Sequence, residues 1–347
     1  MTRTRALAVA LAVVVSTCSS DGGSATTTGG PDDLDLRRVA DTVIVPRYER
    51  FAGASADLTL AISQLCAEPT PAALEAARNQ WQQTRAAWRH TAAFGFGPAM
   101  ELRTKSAVDF PTSAEKVAEV VAGAEPVTVD AVADLGSSAR GLGTIEELLY
   151  GADSDALAGP SGARSCDYAA AASELVEDAA AEVAAAWTSS SDPYRDTFAA
   201  DELMALNDVF NQSVATLQGL ADKRLATAVG EATGTPNPEA SDPGPAQRAL
   251  DDMVDDLDGV TAAYESVLGP ATTRQSDEAA ERLGQQLRTG QQALVALPRP
   301  LTAAVTSDAA GARAALTALQ EAKRTLATEV ASLLGLTLTF SEADGDS

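Results

Sequence analysis

The chain has 347 residues, enough for two domains with a buried core, and one histidine, which excludes any site built from two imidazoles. It carries 25 Lys and Arg against 49 Asp and Glu, a net charge of -24, so its surface repels a phosphate backbone and nucleic-acid binding is excluded. Hydrophobic residues make up 45% but aromatic residues only 4%, and an excess of Ala, Leu and Val predicts an all-α protein.

The N-terminus has the pattern of an export signal. Two arginines precede an apolar run too short to span a membrane, and we interpret residues 1–17 as a signal peptide. Cys18 resembles the lipidated cysteine of bacterial lipoproteins, although Thr17 departs from the small residue usual before it. A plain secretory signal cut nearby is the alternative. The composition of residues 18–33, mostly Ser, Thr, Gly and Asp, predicts a flexible tether. Together, the signal, Cys18 and the tether lead us to expect an exported protein anchored to a membrane through lipid.

Beyond residue 33, apolar residues recur at spacings of three and four, as in amphipathic helices. Helix-start signals precede several runs, such as Thr70 before Pro71 and Ser276 before Asp277. Long helices are predicted over residues 34–65, 71–92, 137–151, 166–188, 194–229, 246–268, 276–296 and 308–335. We interpret them as two up-and-down helical bundles, residues 34–190 and 191–347.

Two long loops interrupt the predicted helices. Residues 93–136 and 231–246 are rich in helix-breaking Gly and Pro. Long loops inside helical bundles often carry the function.

The three cysteines have a simple assignment. If Cys18 carries lipid, Cys66 and Cys166 remain and are expected to form a disulfide in an exported protein. Two buried thiols are the alternative.

One carboxylate falls on an apolar helix face. At the helical period Leu142, Ile145 and Leu149 form a stripe, and Glu146 lies within it. An inward carboxylate needs an arginine, hydrogen-bond donors or a metal, or else it stays protonated. Structural ion pairing is the alternative to a functional role.

A second group lies on one face of the helix that follows Pro71. Trp81, Arg85 and Trp88 are spaced four and three residues apart. Arg85 could pair with Glu146 or stack on an indole. The alternative is that the tryptophans are core residues and the arginine reaches solvent.

The sequence resembles the imelysin family, which includes iron-regulated bacterial envelope proteins and was named for a metallopeptidase activity. Gly141, Gly143 and Glu146 fall at the positions of that family's Gly-x-His-x-x-Glu helix motif. Further likeness lies at residues 66–71, 81, 85–88, 96–98, 334–336 and 344–346. The resemblance implies a duplicated helical-bundle fold, a cleft at the motif and a cell-envelope location.

The chain departs from the motif where the family has histidine. Gly143 supplies no imidazole, so of the motif's two metal ligands, a histidine and a glutamate, only Glu146 remains. Glu101 and Asp109 could add oxygen ligands. The expected cofactor is an iron ion or another divalent or trivalent ion, bound weakly or not at all. His90 is expected to be a partly exposed residue at a helix end, and the acidic run 251–258 a solvated helix face.

These observations favour a non-catalytic, imelysin-like envelope lipoprotein that assists iron or other metal acquisition. It would bind an ion, a chelate or a partner beside Glu146, and its partners would be the membrane and iron-transport components. A metal-dependent peptidase is one alternative, although hydrolysis needs three protein ligands and an open position. A structural or protein-interaction module at the cell surface is the other.

Overall fold

Helices account for the regular structure of the chain. The computed structural model describes residues 34–339, among which there is no strand, and the all-α prediction is confirmed. None of the helices in this range is both long and apolar enough to cross a membrane. The predicted signal peptide (1–17), the tether (18–33) and Cys18 lie outside the described residues, as does the family likeness at 344–346.

Long helices open and close the first half, with short ones between them. They are α1 (36–67), α2 (Pro71–Arg89), α3 (Pro98–Glu101), α4 (Thr104–Val108), α5 (Ala114–Ala122), α6 (Val129–Ala133), α7 (Leu142–Tyr150) and α8 (Ala163–Thr188). Helix α2 begins as predicted, because Thr70 Oγ1 accepts the Ala73 N–H at 3.1 Å and Pro71 has no N–H that would need an acceptor.

The second half is built mainly from four long helices. Its elements are α9 (Tyr194–Ala200), α10 (202–229), α11 (Pro238–Ser241), α12 (249–273), α13 (Asp277–Ala296), α14 (Leu301–Ser307) and α15 (309–334). Ser276 caps α13 through the Ala279 N–H at 3.2 Å. Helix α10 widens into a π-helical turn, Gly219–Leu225, of a kind that often occurs at functional sites.

The predicted long helices are present with ends shifted by a few residues, except that the one predicted over 194–229 is divided at Asp201 into α9 and α10. The one predicted over 137–151 begins only at Leu142, because Gly141 has a φ of 85° that ends the preceding turn. The predicted loop 93–136 contains α3 to α6 and the predicted loop 231–246 contains α11, while α14 lies outside both and was not predicted either. Each of these helices has too few turns for the spacing of its apolar residues to reveal it.

Two hydrophobic cores run through the described residues. The first joins α1, α2, α7 and α8 around Phe51, Trp81 and Tyr168. The second contains Trp187 and Phe210, and it takes in the first turns of α1 and the last turns of α8 as well as the second-half helices. Two helices therefore pack in both cores, and the expected domain boundary after residue 190 stays a prediction.

The predicted disulfide is confirmed. Cys66 in the last turn of α1 is bonded to Cys166 in the first turn of α8, with their Cα atoms 5.6 Å apart. The bond spans 100 residues of sequence, so α2 and α7 both lie within the loop that it closes.

Candidate functional site

The motif helix α7 starts in close contact with the chain before it. A Cβ atom on Gly141 would lie 2.7 Å from the carbonyl oxygen of Val108, so only glycine fits both this approach and the positive φ. Gly141 thus allows the start of α7 to approach the main chain at the end of α4 closely. It fixes α7 against the end of α4 and directs the next turn, with Glu146, inward.

Glu146 is buried, with 9% of its surface exposed, and lies under a segment from the other half of the chain. Its Oε1 accepts the main-chain N–H of Ala246 at 3.1 Å. Burial raises the pKa of Glu146 to about 7, while the Arg85 charge and the Ala246 hydrogen bond act in the opposite direction. Near neutral pH the residue therefore exchanges between a carboxylate and a carboxylic acid.

The space beside Gly143 is filled by a loop residue. A Cβ atom at this position would overlap Thr112 Oγ1 and lie 3.1 Å from Thr112 Cβ. Thr112 Oγ1 is buried and has no hydrogen-bond partner among the described residues. The side chain that the family motif places here therefore has no room in this chain.

Trp81 and Trp88 share a helix face but hold different parts of the site. Trp81 is fully buried and donates from Nε1 to the carbonyl of Leu142, the first residue of α7, at 2.9 Å. Its ring also packs edge-on against Tyr150, the last residue of α7, so Trp81 positions both ends of this helix. Trp88 donates from Nε1 to Asp109 Oδ2 at 3.1 Å.

Arg85 does not form the ion pair with Glu146 that was one possibility from the sequence. Its Nη2 lies 2.9 Å from Asp252 Oδ2, and its Nη1 is paired with Asp109. The Arg85 side chain is 11% exposed, so these carboxylates, rather than solvent or an indole, surround its guanidinium. Burial alone would lower the pKa of Arg85, but the charges of Asp109 and Asp252 outweigh it and the pKa is raised.

Arg85 belongs to a larger buried group that we call the arginine–aspartate network. Its members are Arg85, Arg89, Arg224, Arg248, Asp109, Asp252, Asp255 and Asp256. Arg89 Nη2 lies 3.2 Å from Asp109 and 3.1 Å from Asp252, which joins α2 to α12. Arg224, from the π-helical turn of α10, lies 3.3 Å from Asp256.

The network corrects the interpretation of the run 251–258 as a solvated face. Asp252 and Asp256 are each only 4% exposed, whereas Asp251 and Asp255 are partly exposed and Asp258 is exposed. Burial would raise the pKa of Asp252, but the arginines hold it well below its usual range. For Asp256 burial outweighs Arg89 and Arg224, and its pKa is raised.

The three carboxylates proposed as metal ligands are not brought together. Glu101 is exposed on α3, Asp109 is held by arginines and Trp88, and Glu146 lies under Ala246. Within residues 34–339 no group of three or more His, Cys, Asp or Glu side chains could hold a metal ion. A cation at Asp109 would also face guanidinium groups, so a resident metal does not fit these residues.

His90 lies at the edge of the network, at the C-terminal end of α2. Its Nε2 is 3.4 Å from Asp255 Oδ1 and 3.8 Å from Asp258 Oδ2, and its side chain is 25% exposed. It is partly exposed at a helix end, as the sequence indicated, and is separate from the motif position at Gly143.

Comparison with known proteins identifies the family. The imelysin family model matches residues 44–329. "Iron-regulated protein A" from Synechococcus elongatus is 27% identical over 283 residues, which cover 77% of this chain and 76% of that protein.

Two solved structures share the fold. An imelysin-like protein from Psychrobacter arcticum 273-4 superimposes with a TM-score of 0.74 at 20% identity, over 88% of this chain and 96% of that one. A protein from Parabacteroides distasonis ATCC 8503, described provisionally as an iron-regulated protein A precursor, gives 0.72 at 18% identity, over 86% and 94%. The chain belongs to the imelysin family.

Proposed function

We propose that this chain is a non-catalytic binding protein of the bacterial cell envelope that acts in iron acquisition, with its binding site beside Glu146. The observation that carries the proposal is the position of Glu146. This buried carboxylate faces the junction of the two halves. Its hydrogen-bond partner is a main-chain N–H, which could not bind a metal together with it. A group held in this way is available to a ligand that displaces the main chain.

The link to iron rests on the relatives. One is named for iron regulation, and this chain matches it over about three quarters of both lengths. The envelope location rests on the signal-like residues 1–17 and Cys18, and on a structural relative described as a precursor. Lipid anchoring and an interaction with iron-transport components are parts of the same proposal.

The surroundings of Glu146 favour a chelated ion over a bare one. A bare ion would need several protein oxygen or nitrogen ligands, whereas the nearby aspartates are engaged by arginines. A chelate brings its own ligands and needs only hydrogen bonds and complementary charge. Among residues 34–339 no contact favours the peptidase alternative, because the motif position that would supply an imidazole is Gly143 beside Thr112.

Calorimetric titration of the purified full chain tests the proposal, with ferric citrate, ferric ion, ferrous ion and zinc as ligands. We expect ferric citrate to bind, and Glu146→Ala to weaken that binding at least tenfold. Glu147→Ala is the matched control, because Glu147 is the next residue on α7 but less buried. If ferric citrate binds neither wild type nor control, the proposal that the protein binds chelated iron is wrong. Capture of an envelope protein would then support the interaction module.

A further inference from the structure

A seven-residue segment from the second half of the chain, 242–248, covers the motif carboxylate of the first half. Ala246 donates its N–H to Glu146 at 3.1 Å and packs against the first core. Gly244 approaches so closely that an added Cβ would overlap the Glu146 carboxylate. The segment therefore occupies the place that a ligand of Glu146 would take.

Arg248 fastens this segment to the first half. Its Nη1 donates to Gln82 Oε1 on α2 at 3.1 Å, while on α12 its Nε lies 3.1 Å from Asp252 Oδ1 and its Nη2 pairs with Asp255. Gln82 in turn donates to the hydroxyl of Tyr150, the last residue of α7, at 3.1 Å. A chain of side-chain contacts thus connects the segment to the end of the motif helix.

At its start the segment is held by Asp242, whose Oδ1 accepts the Ala249 N–H at 3.1 Å, but the stretch between Asp242 and Arg248 is weakly held apart from the Ala246 contact. Pro243, Pro245 and Gln247 are exposed, and the turn is closed by a hydrogen bond from the Gln247 N–H to the Gly244 carbonyl at 3.1 Å. Gln247 has a φ of 53°, a region that a side chain other than glycine adopts only at a cost. The segment buries no large apolar side chain, so lifting it exposes little hydrophobic surface.

We propose that segment 242–248 is a lid over the Glu146 site, and that Arg248 is the positioning residue that holds the lid shut. A ligand that replaces the Ala246 N–H has to offer its own hydrogen-bond donor, such as the hydroxyl or coordinated water of an iron chelate. The ligand part of this inference rests on the proposed function. The motion of the lid does not.

Amide hydrogen exchange of the full chain, resolved residue by residue, tests the lid without any ligand. In wild type we expect the Ala246 amide to exchange at least tenfold faster than the interior amides of α12. Gly244→Ala should accelerate exchange across 242–248 by a further tenfold, because the added methyl group pushes against Glu146. Gly136→Ala should change nothing, because no atom lies within 4 Å of its Cβ position.

Arg248→Gln tests the positioning role. It should accelerate the Ala246 amide while the α12 interior stays protected, and Arg248→Lys should restore part of the protection. If the Ala246 amide exchanges together with the α12 interior in wild type and all variants, the segment does not open independently and the lid is wrong.

Stopped-flow association with ferric citrate separates the lid from the proposed function. We expect Gly244→Ala to bind ferric citrate at least threefold faster than wild type. Equal rates in a variant whose lid exchanges faster would show that the lid does not control access. If neither protein binds ferric citrate, the proposed cargo fails and the exchange results still decide whether the lid opens.

Discussion

The hydroxyl of Thr112 occupies the space into which a side chain at Gly143 would project. The two residues are thus a complementary pair, one on the loop before α5 and the other in the first turn of α7. Gly143→Ala should therefore destabilise the protein by about 1–3 kcal/mol through overpacking. Thr112→Ala alone should be nearly neutral, because its hydroxyl is buried without a partner.

Urea unfolding of both variants and of the double variant measures the coupling between these residues. The double variant should recover most of the stability lost by Gly143→Ala. Additive effects would mean that Thr112 moves aside at little cost, and that the motif position remains open to larger side chains.

The raised pKa of Glu146 predicts that stability falls as the pH rises. The folded protein holds this proton up to about pH 7, whereas an unfolded glutamate loses it near pH 4.5. The stabilising effect of protonation is complete below pH 4.5 and is lost as the pH passes 7, a change of about 3 kcal/mol at most. Glu146→Gln should remove this dependence. Parallel curves of unfolding free energy for the two proteins between pH 4.5 and 8.5 would contradict the prediction.

Asp252 and Asp251 are adjacent in sequence but should differ greatly in their effect on stability. Asp252→Asn leaves Arg85 and Arg89 buried without their shared carboxylate, which should cost about 3–5 kcal/mol. Asp251→Asn is the matched control, because its ion pair with Arg299 is partly exposed and should contribute less than about 1 kcal/mol. Chemical denaturation gives both values, and similar losses in the two variants would contradict the importance of the network.

The Cys66–Cys166 bond should make a large contribution to stability. Closing a loop of 100 residues restricts the unfolded chain by about 4–5 kcal/mol in the chain-entropy model. Replacing both cysteines by serine should lower the free energy of unfolding by up to this amount, and reductant should lower that of wild type similarly. A wild-type protein that is insensitive to reductant would argue against the bond.

The fold could be predicted largely from local signals. The caps at Thr70 and Ser276 mark helix starts because they satisfy donors within the same turn. The inward position of Glu146 also followed from the spacing of its apolar neighbours on α7. Local patterns of this kind need no knowledge of what packs against the helix.

The partners of the site residues could not be predicted in this way. Arg85 meets Asp252 across 167 positions of sequence, and Ala246 meets Glu146 across 100. The run 251–258 contains enough charge to suggest a solvated face, and only the packing of α12 against α2 shows that Asp252 and Asp256 are buried. One signal was available: on the helical wheel of α12 these two aspartates flank the stripe of buried residues Met253, Leu257 and Val260.

The disulfide also has a consequence for proteolysis. Residues 67–165 carry α2 and α7, and both of their ends are joined through Cys66 and Cys166. A protease that cuts once within this covalent ring, for example in the loops between α3 and α6, leaves Arg85 and Glu146 attached to the rest of the molecule. After such a single cut, only reduction of the disulfide separates the two pieces covalently, so the protein can be nicked once and remain a single molecule.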